Sequence, residues 1–222
     1  MAKNHKGEPV KLAVVTGSHS FDVPNFHKLF HSLNGVDAYI QHMEDFASSS
    51  EDVRDWYDAV LFYHMIMDAP VDGEAWWAGQ PKTALEHLGE TGQGIVVLHH
   101  AILAYPRWEL WTDVTGLADR SFGFHPEQQL HVQIADSAHP ITRGLKPWNM
   151  GDETYTMAEP VGENHVLLTT DHDKCMKSIA WTRQHKKSRV FCYQSGHDNV
   201  TWADKSFREV LRRGVMWAAA KI

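Results

Sequence analysis

Gln93-Gly94-Ile95-Val96-Val97-Leu98-His99-His100-Ala101 is a glycine followed by an unbroken aliphatic and β-branched run that stops on two histidines. Such a run is the pattern of a strand buried on both faces of a parallel sheet. In open α/β sheets the ligand crevice lies outside the carboxyl ends of the strands. The polar pair that ends this strand is therefore placed to face a site, and strand alternation lets only one of the two do so.

Working outward, Val10 to Thr16 reads as a first strand, Gly17-Ser18-His19-Ser20 as a turn, and Asp22 as the cap of a helix with Pro24 in its first turn. Phe26, Leu29, Phe30 and Leu33 give that helix its apolar face, and Gly35 ends it. Strand, short loop and helix open a βαβ unit, so His19 belongs on the same sheet edge as His99. Val36 to Met43 reads as a second strand, and Ser48 to Trp56 as a capped short helix. Ala59 to His64 is a third strand that again ends in histidine. The pattern predicts a longer helix over 72–90 with Trp76, Trp77, Leu85 and Leu88, and a turn and aromatic helix over 101–111. A loop over 116–127 and a strand over 129–135 follow. Further strands are expected at Val166–Thr169, Ser178–Thr182 and Arg189–Tyr193, and a final helix is opened by Thr201 and Asp204.

The chain has 222 residues, with 43% hydrophobic and 22% charged content, which suits a single globular domain over 1–222. No apolar run approaches the roughly 18 residues of a membrane helix, and Met1 to Pro9 is polar, so no membrane role and a cytoplasmic location are expected. A net charge of -7 without a basic cluster argues against nucleic acid and for a small-molecule partner. Cys175 and Cys192 form no disulfide framework and no CxxC pair. Sixteen histidines and nine tryptophans are a heavy load: imidazoles serve metal and proton chemistry, and indoles stack on sugars. A homo-oligomer with tryptophan anchors is also compatible with this composition.

Placed in order, several segments resemble the ThuA-like (trehalose utilisation) family. They are Thr16-Gly17-Ser18-His19, Leu98-His99, Phe124-His125-Pro126, His139-Pro140-Ile141-Thr142-Arg143-Gly144-Leu145, Asp152-Glu153-Thr154-Tyr155, and Arg189 to Asp198 continuing to Gly214-Val215-Met216-Trp217-Ala218. The resemblance implies a flavodoxin-like, doubly wound α/β fold of the class I glutamine amidotransferase type, with a mostly parallel sheet and helices on both faces. Relatives of that type carry a cysteine in a Gly-x-Cys-x-Gly elbow after this strand. His99-His100-Ala101 stands in its place, so glutaminase activity is not expected. Phe124-His125-Pro126-Glu127 contains the His-Pro-Glu of an amidotransferase triad, but without a nucleophile it has nothing to activate.

His99, His19, Asp152 and Glu153 are the candidate acid/base groups. His99, His125 and His197 are candidate ligands for a divalent metal, zinc or manganese, assembled by the fold because no short ligand spacing exists. Tyr105, Trp108, Arg143 and His197 are candidates for binding substrate. No nucleotide cofactor is expected. Each of these residues also has a plain reading, as a loop histidine bonding backbone, a solvated acid or a core aromatic. The resemblance implies carbohydrate utilisation. The residues suggest histidine- or metal-assisted acid/base chemistry on a sugar or 3-keto-glycoside, with sugar isomerase, lyase or hydratase as reaction classes. The competing reading is a non-catalytic carbohydrate- or protein-binding module on a degenerate amidotransferase fold.

Overall fold

The structure is a computed structural model that describes residues 7–75 and 78–222. The run that opens the sequence argument is β4 (Gly94–Leu98), buried along its whole length. It lies between β3 (Ala59–His64) and β9 (Ser188–Tyr193), parallel to both. Beyond β3 come β1 (Val10–Gly17) and β2 (Val36–His42), also parallel. On the other side of β9 the pairing turns antiparallel, through β8 (Ser178–His185), β7 (His165–Thr169), β5 (Phe122–Ile134) and β6 (Trp148–Met157). The nine-stranded order is β2-β1-β3-β4-β9-β8-β7-β5-β6.

Alternation along β1 sends its side chains into two cores. Leu12 and Val14 pack with α1 (Val23–His31) and α7 (Lys205–Ala218), while Ala13 and Val15 pack with α2 (Met43–Ser48), α4 (Pro81–Glu86) and α5 (Glu109–Thr115). The sheet is thus covered on both faces, as a doubly wound fold requires. Two shorter helices, α3 (Glu51–Arg54) and α6 (Asn199–Ala203), complete the set. Caps follow the sequence: the Asp22 carboxylate accepts from the Asn25 amide at 3.1 Å, and that of Asp204 from the Phe207 amide at 2.7 Å. No helix among the described residues is long and apolar enough to cross a membrane.

The elements differ from the sequence reading where backbone chemistry overrides periodicity. The helix expected over 72–90 forms only from Pro81. Proline fits a first helical turn but not an interior, and Gly73 and Gly79 precede it. Trp76 and Trp77 lie outside the described residues. The segment expected as a turn and aromatic helix over 101–111 becomes a 3-10 turn, His99–Leu103, and then α5, with Tyr105 at φ 49 just before Pro106. Strand β5 begins at Phe122, inside the stretch expected to be loop. It carries a bulge between His125 and Gln128, with Glu127 at φ 55. Trp148–Met157, which holds the acidic segment Asp152-Glu153-Thr154-Tyr155, is a strand.

Gly94 shows how tightly the sheet is sealed at its amino edge. A Cβ there would lie 2.5 Å from the Ala218 carbonyl carbon and 2.6 Å from its oxygen, at the end of α7. Gly94→Ala is expected to cost more than about 2 kcal/mol, since backbone cannot yield as a side chain can. Urea denaturation checks this.

Candidate functional site

The carboxyl ends of β1, β3, β4 and β9 bring histidines to one edge. His99 follows β4 at φ 52, a left-handed conformation that costs a non-glycine residue about 1–2 kcal/mol. It is fully buried. Its Nδ1 lies 2.8 Å from the Gln194 carbonyl oxygen, which can only accept, so Nδ1 carries the proton and Nε2 keeps its lone pair. The Tyr155 hydroxyl lies 2.7 Å from that Nε2 and donates to it. Glu153 Oε1 is 3.6 Å away.

Glu153 and Tyr155 reach His99 from β6, the far edge of the sheet. Residues two apart on a strand share a face, so both point at the imidazole, while Asp152 and Thr154 point the other way. The β5 bulge lies opposite Glu153, because His125 pairs with Thr154 and Gln128 with Asp152. Bulges bend a strand and re-aim the side chains beside them.

His197 closes the cluster. Its Nε2 is 3.8 Å from Glu153 Oε2, and its ring centroid is 5.3 Å from that of His99. Asp152 does not face the cluster but fixes the loop that carries His197. Its buried carboxylate accepts from the amides of Gly196 at 2.9 Å, His197 at 3.1 Å and Glu153 at 2.9 Å, and from the Thr201 hydroxyl at 2.7 Å. The Tyr63 hydroxyl and Trp202 indole donate to the carbonyl oxygen of Gly196 from the other side. Gly196 itself is at φ 128, and a Cβ there would press on Phe207 and Leu98. Asp152→Ala is expected to cost about 3 kcal/mol or more, because hydrogen bonds to a charged group contribute about 1.5–3 kcal/mol each. Chemical denaturation measures that cost, with His197 reporting the loosened loop as a sharpened, solvent-exchanging imidazole resonance.

His19 stacks on His100 with centroids 4.2 Å apart and meets His197 edge-on at 6.0 Å. Burial, and then the neighbouring His99, hold its pKa below the ordinary imidazole value. His100 packs between His19 and Tyr63 and edge-on to His99 at 5.2 Å, and of the pair only His99 offers a nitrogen to the group that Glu153 and His197 complete. Burial pushes the Glu153 carboxyl upward, but the His99 and His197 imidazoles and the Tyr155 hydroxyl outweigh it and leave the group below the usual carboxylate range. Burial, and then Glu153, raise the Tyr155 phenol well above its usual value, so it remains a proton donor.

The other sequence candidates lie apart. His125 bonds the Thr156 hydroxyl at 3.2 Å along the hairpin and is not among the converging ligand atoms. Arg143 is exposed, and its backbone oxygen receives Arg213 from α7, whose last residues rest on Gly94 at the opposite edge of the sheet. Tyr105 is buried in the core against His64 and Trp111, and Trp108 packs edge-on to it. Tyr155 stands in the Asp152-Glu153-Thr154-Tyr155 segment without a role of its own, and the Gln194 backbone carbonyl leaves no signal in the sequence. A cavity of about 540 Å³ beside α2 is lined by Met43, Glu44, Val71 and Pro81, apart from the histidine cluster.

No thiol can replace the missing elbow cysteine. Cys192 is fully buried within β9, and burial pushes the Cys175 thiol up to about 12. The sheet order, the helices on both faces and the strained turn after β4 define a class I glutamine amidotransferase-like domain whose elbow carries an imidazole. The sequence profile of the ThuA family, described as trehalose utilisation, matches residues 15–218, and the chain belongs to that family. A ThuA-like protein from Parabacteroides merdae is similar over 96% of this chain and 91% of its own, with a TM-score of 0.74 and 19% identity. One from Bacteroides uniformis gives 98%, 95%, 0.70 and 18%. A glutamine amidotransferase from Thermotoga maritima gives 95%, 98%, 0.54 and 8%. At these identities the likeness is one of fold. No curated protein matches the sequence.

Proposed function

We propose that the chain is an enzyme of sugar utilisation that abstracts a proton beside the carbonyl of an oxidised, 3-keto glycoside. The observation that carries this reading is the Glu153 carboxylate, held ionised between His99 and His197 at the sheet edge where ligands bind. The membership in a trehalose-utilisation family supports a sugar as substrate.

A keto group acidifies its neighbouring C–H. Glu153 takes that proton, the C–H electron pair forms the enolate, and the half-exposed imidazole of His197 stabilises and protonates its oxygen. In an isomerisation the neighbouring hydroxyl of the enediol gives up its proton as its C=O forms, and Glu153 returns the abstracted proton to the former carbonyl carbon. In an elimination the enol proton goes back to His197 as the C=O re-forms, the bond from the β carbon to the glycosidic oxygen breaks, and that oxygen leaves with the proton held by Glu153. Both reactions begin with the same abstraction. His99 and Tyr155, bonded to each other, form the floor under the carboxylate, and Asp152 fixes the backbone of His197.

The test is incubation of the protein with a 3-keto-glycoside and, separately, with trehalose, followed by NMR. Consumption of the keto sugar alone is expected. If both sugars bind and neither reacts, the chain is the carbohydrate-binding module of the competing reading.

A further inference from the structure

We infer that His99 Nε2, Glu153 and His197 form a binding site for one divalent first-row metal ion, with zinc as the fitting cation. This inference concerns the same cluster as the proposed activity: with the ion bound, Glu153 and His197 are ligands rather than base and acid, so the two readings are alternative states of one site that zinc titration and turnover separate. One ligand atom from each of the three residues lies within 4.8 Å of the other two. Two imidazoles and one carboxylate are a borderline donor set that suits zinc and leaves coordination positions open for water or substrate.

The distances are those of a site short of closure. In tetrahedral zinc sites, with bonds of about 2.0–2.1 Å, neighbouring ligand atoms sit about 3.3 Å apart. Here the carboxylate oxygens lie 3.6 Å from His99 Nε2 and 3.8 Å from His197 Nε2, so small side-chain rotations bring them to coordinating distance.

The surroundings favour coordination over a simple hydrogen-bond cluster. A metal-binding imidazole commonly donates its second N–H to a backbone carbonyl or carboxylate, which fixes the tautomer. His99 does so with Gln194 at 2.8 Å. The loop bearing His197 is fixed by the two amide bonds to Asp152. His99 is kept at φ 52 although glycine would relieve that strain, which holds its Nε2 in place. The Tyr155 hydroxyl donates to the His99 lone pair at 2.7 Å. When a metal takes that lone pair, the hydroxyl is released toward Glu153.

A second trio, Glu51, Asp55 and His87, is the internal control. It also brings three donor atoms together, but on a more exposed surface, and the His87 ring is already engaged by Asp55 at 3.1 Å. No comparable preordering surrounds it.

The experiment is titration of chelator-treated, tag-free protein with zinc by calorimetry, repeated with cobalt and read by visible d–d absorption. One equivalent is expected to bind, with affinity reduced by on the order of 100-fold or more in Glu153→Gln and in His197→Ala. Tyr155→Phe, which frees the His99 lone pair, is expected to bind at least as tightly as the wild type, and the double variant Glu51→Gln, Asp55→Asn as the wild type does. No binding overturns the inference, and so does binding that survives both cluster variants or is lost in the double variant. Circular dichroism identifies any variant that fails to fold, and the other cluster variant then decides. A protein that takes no metal yet turns over keto sugar ends this inference and leaves the proposed activity standing. Zinc bound at the cluster without turnover does the reverse.

Discussion

Replacing Glu153 with glutamine is expected to lower kcat/KM on a 3-keto-glycoside by about 10²–10⁴-fold, the range that positioned acid/base groups contribute. The amide is isosteric but has no basic oxygen, while the His99 imidazole keeps its bond to the Gln194 carbonyl and the His197 backbone amide keeps its bond to Asp152. The loss should therefore appear without loss of fold. The carboxyl lies below its usual range. As a base it must be deprotonated, so its acid limb falls below about 4.5, and the glutamine variant lacks that limb in its residual activity. The same shift contributes stability above the unfolded-state value and loses it as pH falls through the folded one. Steady-state rates from pH 3 to 8 measure both effects.

The second large effect concerns stability. His64 ends β3 fully buried among Phe62, Tyr105 and Trp111, with no hydrogen-bond partner at either ring nitrogen among the described residues. Burial lowers its pKa from 6.5 to about 3. The folded state thus holds the ring neutral while the unfolded chain protonates it. Its contribution is complete above the unfolded value and is lost as pH falls from 6.5 toward 3, at on the order of 1.4 kcal/mol per unit. His64→Phe keeps an aromatic ring and removes two unpaired polar atoms. The variant is expected to be more stable at pH 7 by about 1–3 kcal/mol, with a flatter slope of stability against pH in the acid range. Urea unfolding of both proteins across pH 4–8 measures the difference. A destabilised variant at pH 7 would mean that the imidazole nitrogens have a partner that the aromatic packing conceals.

The parallel half of the fold was legible because buried strands are continuous aliphatic runs that short loops join to amphipathic helices. Leu12 to Val15, Ala59 to Tyr63 and Ile95 to Leu98 carry that pattern plainly. The strand-end rule placed His19, His99 and His197 on one edge, and it also selected His64, which the core absorbs. Glu153 could be named by type but not separated from its neighbour Asp152 without a secondary-structure assignment for their segment. Once that segment is a strand, period-two alternation assigns Glu153 and Tyr155 to the His99 side and Asp152 to the loop behind. What no local pattern contains is the path of the β5–β6 hairpin, which starts from the far edge of the sheet and returns to β4. His125 looked like a ligand by type, but the strand that carries it points it at Thr156. Arg143 came from a turn that packs on α7, at the wrong end of the sheet.

Hydrogen exchange in D₂O tests the proposed abstraction most directly, because it reports proton removal whether or not a later step completes. The wild-type protein is expected to incorporate deuterium at the carbon beside the keto group of a 3-keto-glycoside, and Glu153→Gln to do so at least about 100-fold more slowly. Exchange by the wild type no faster than in buffer, or equal exchange by the glutamine variant, would contradict the role assigned to Glu153.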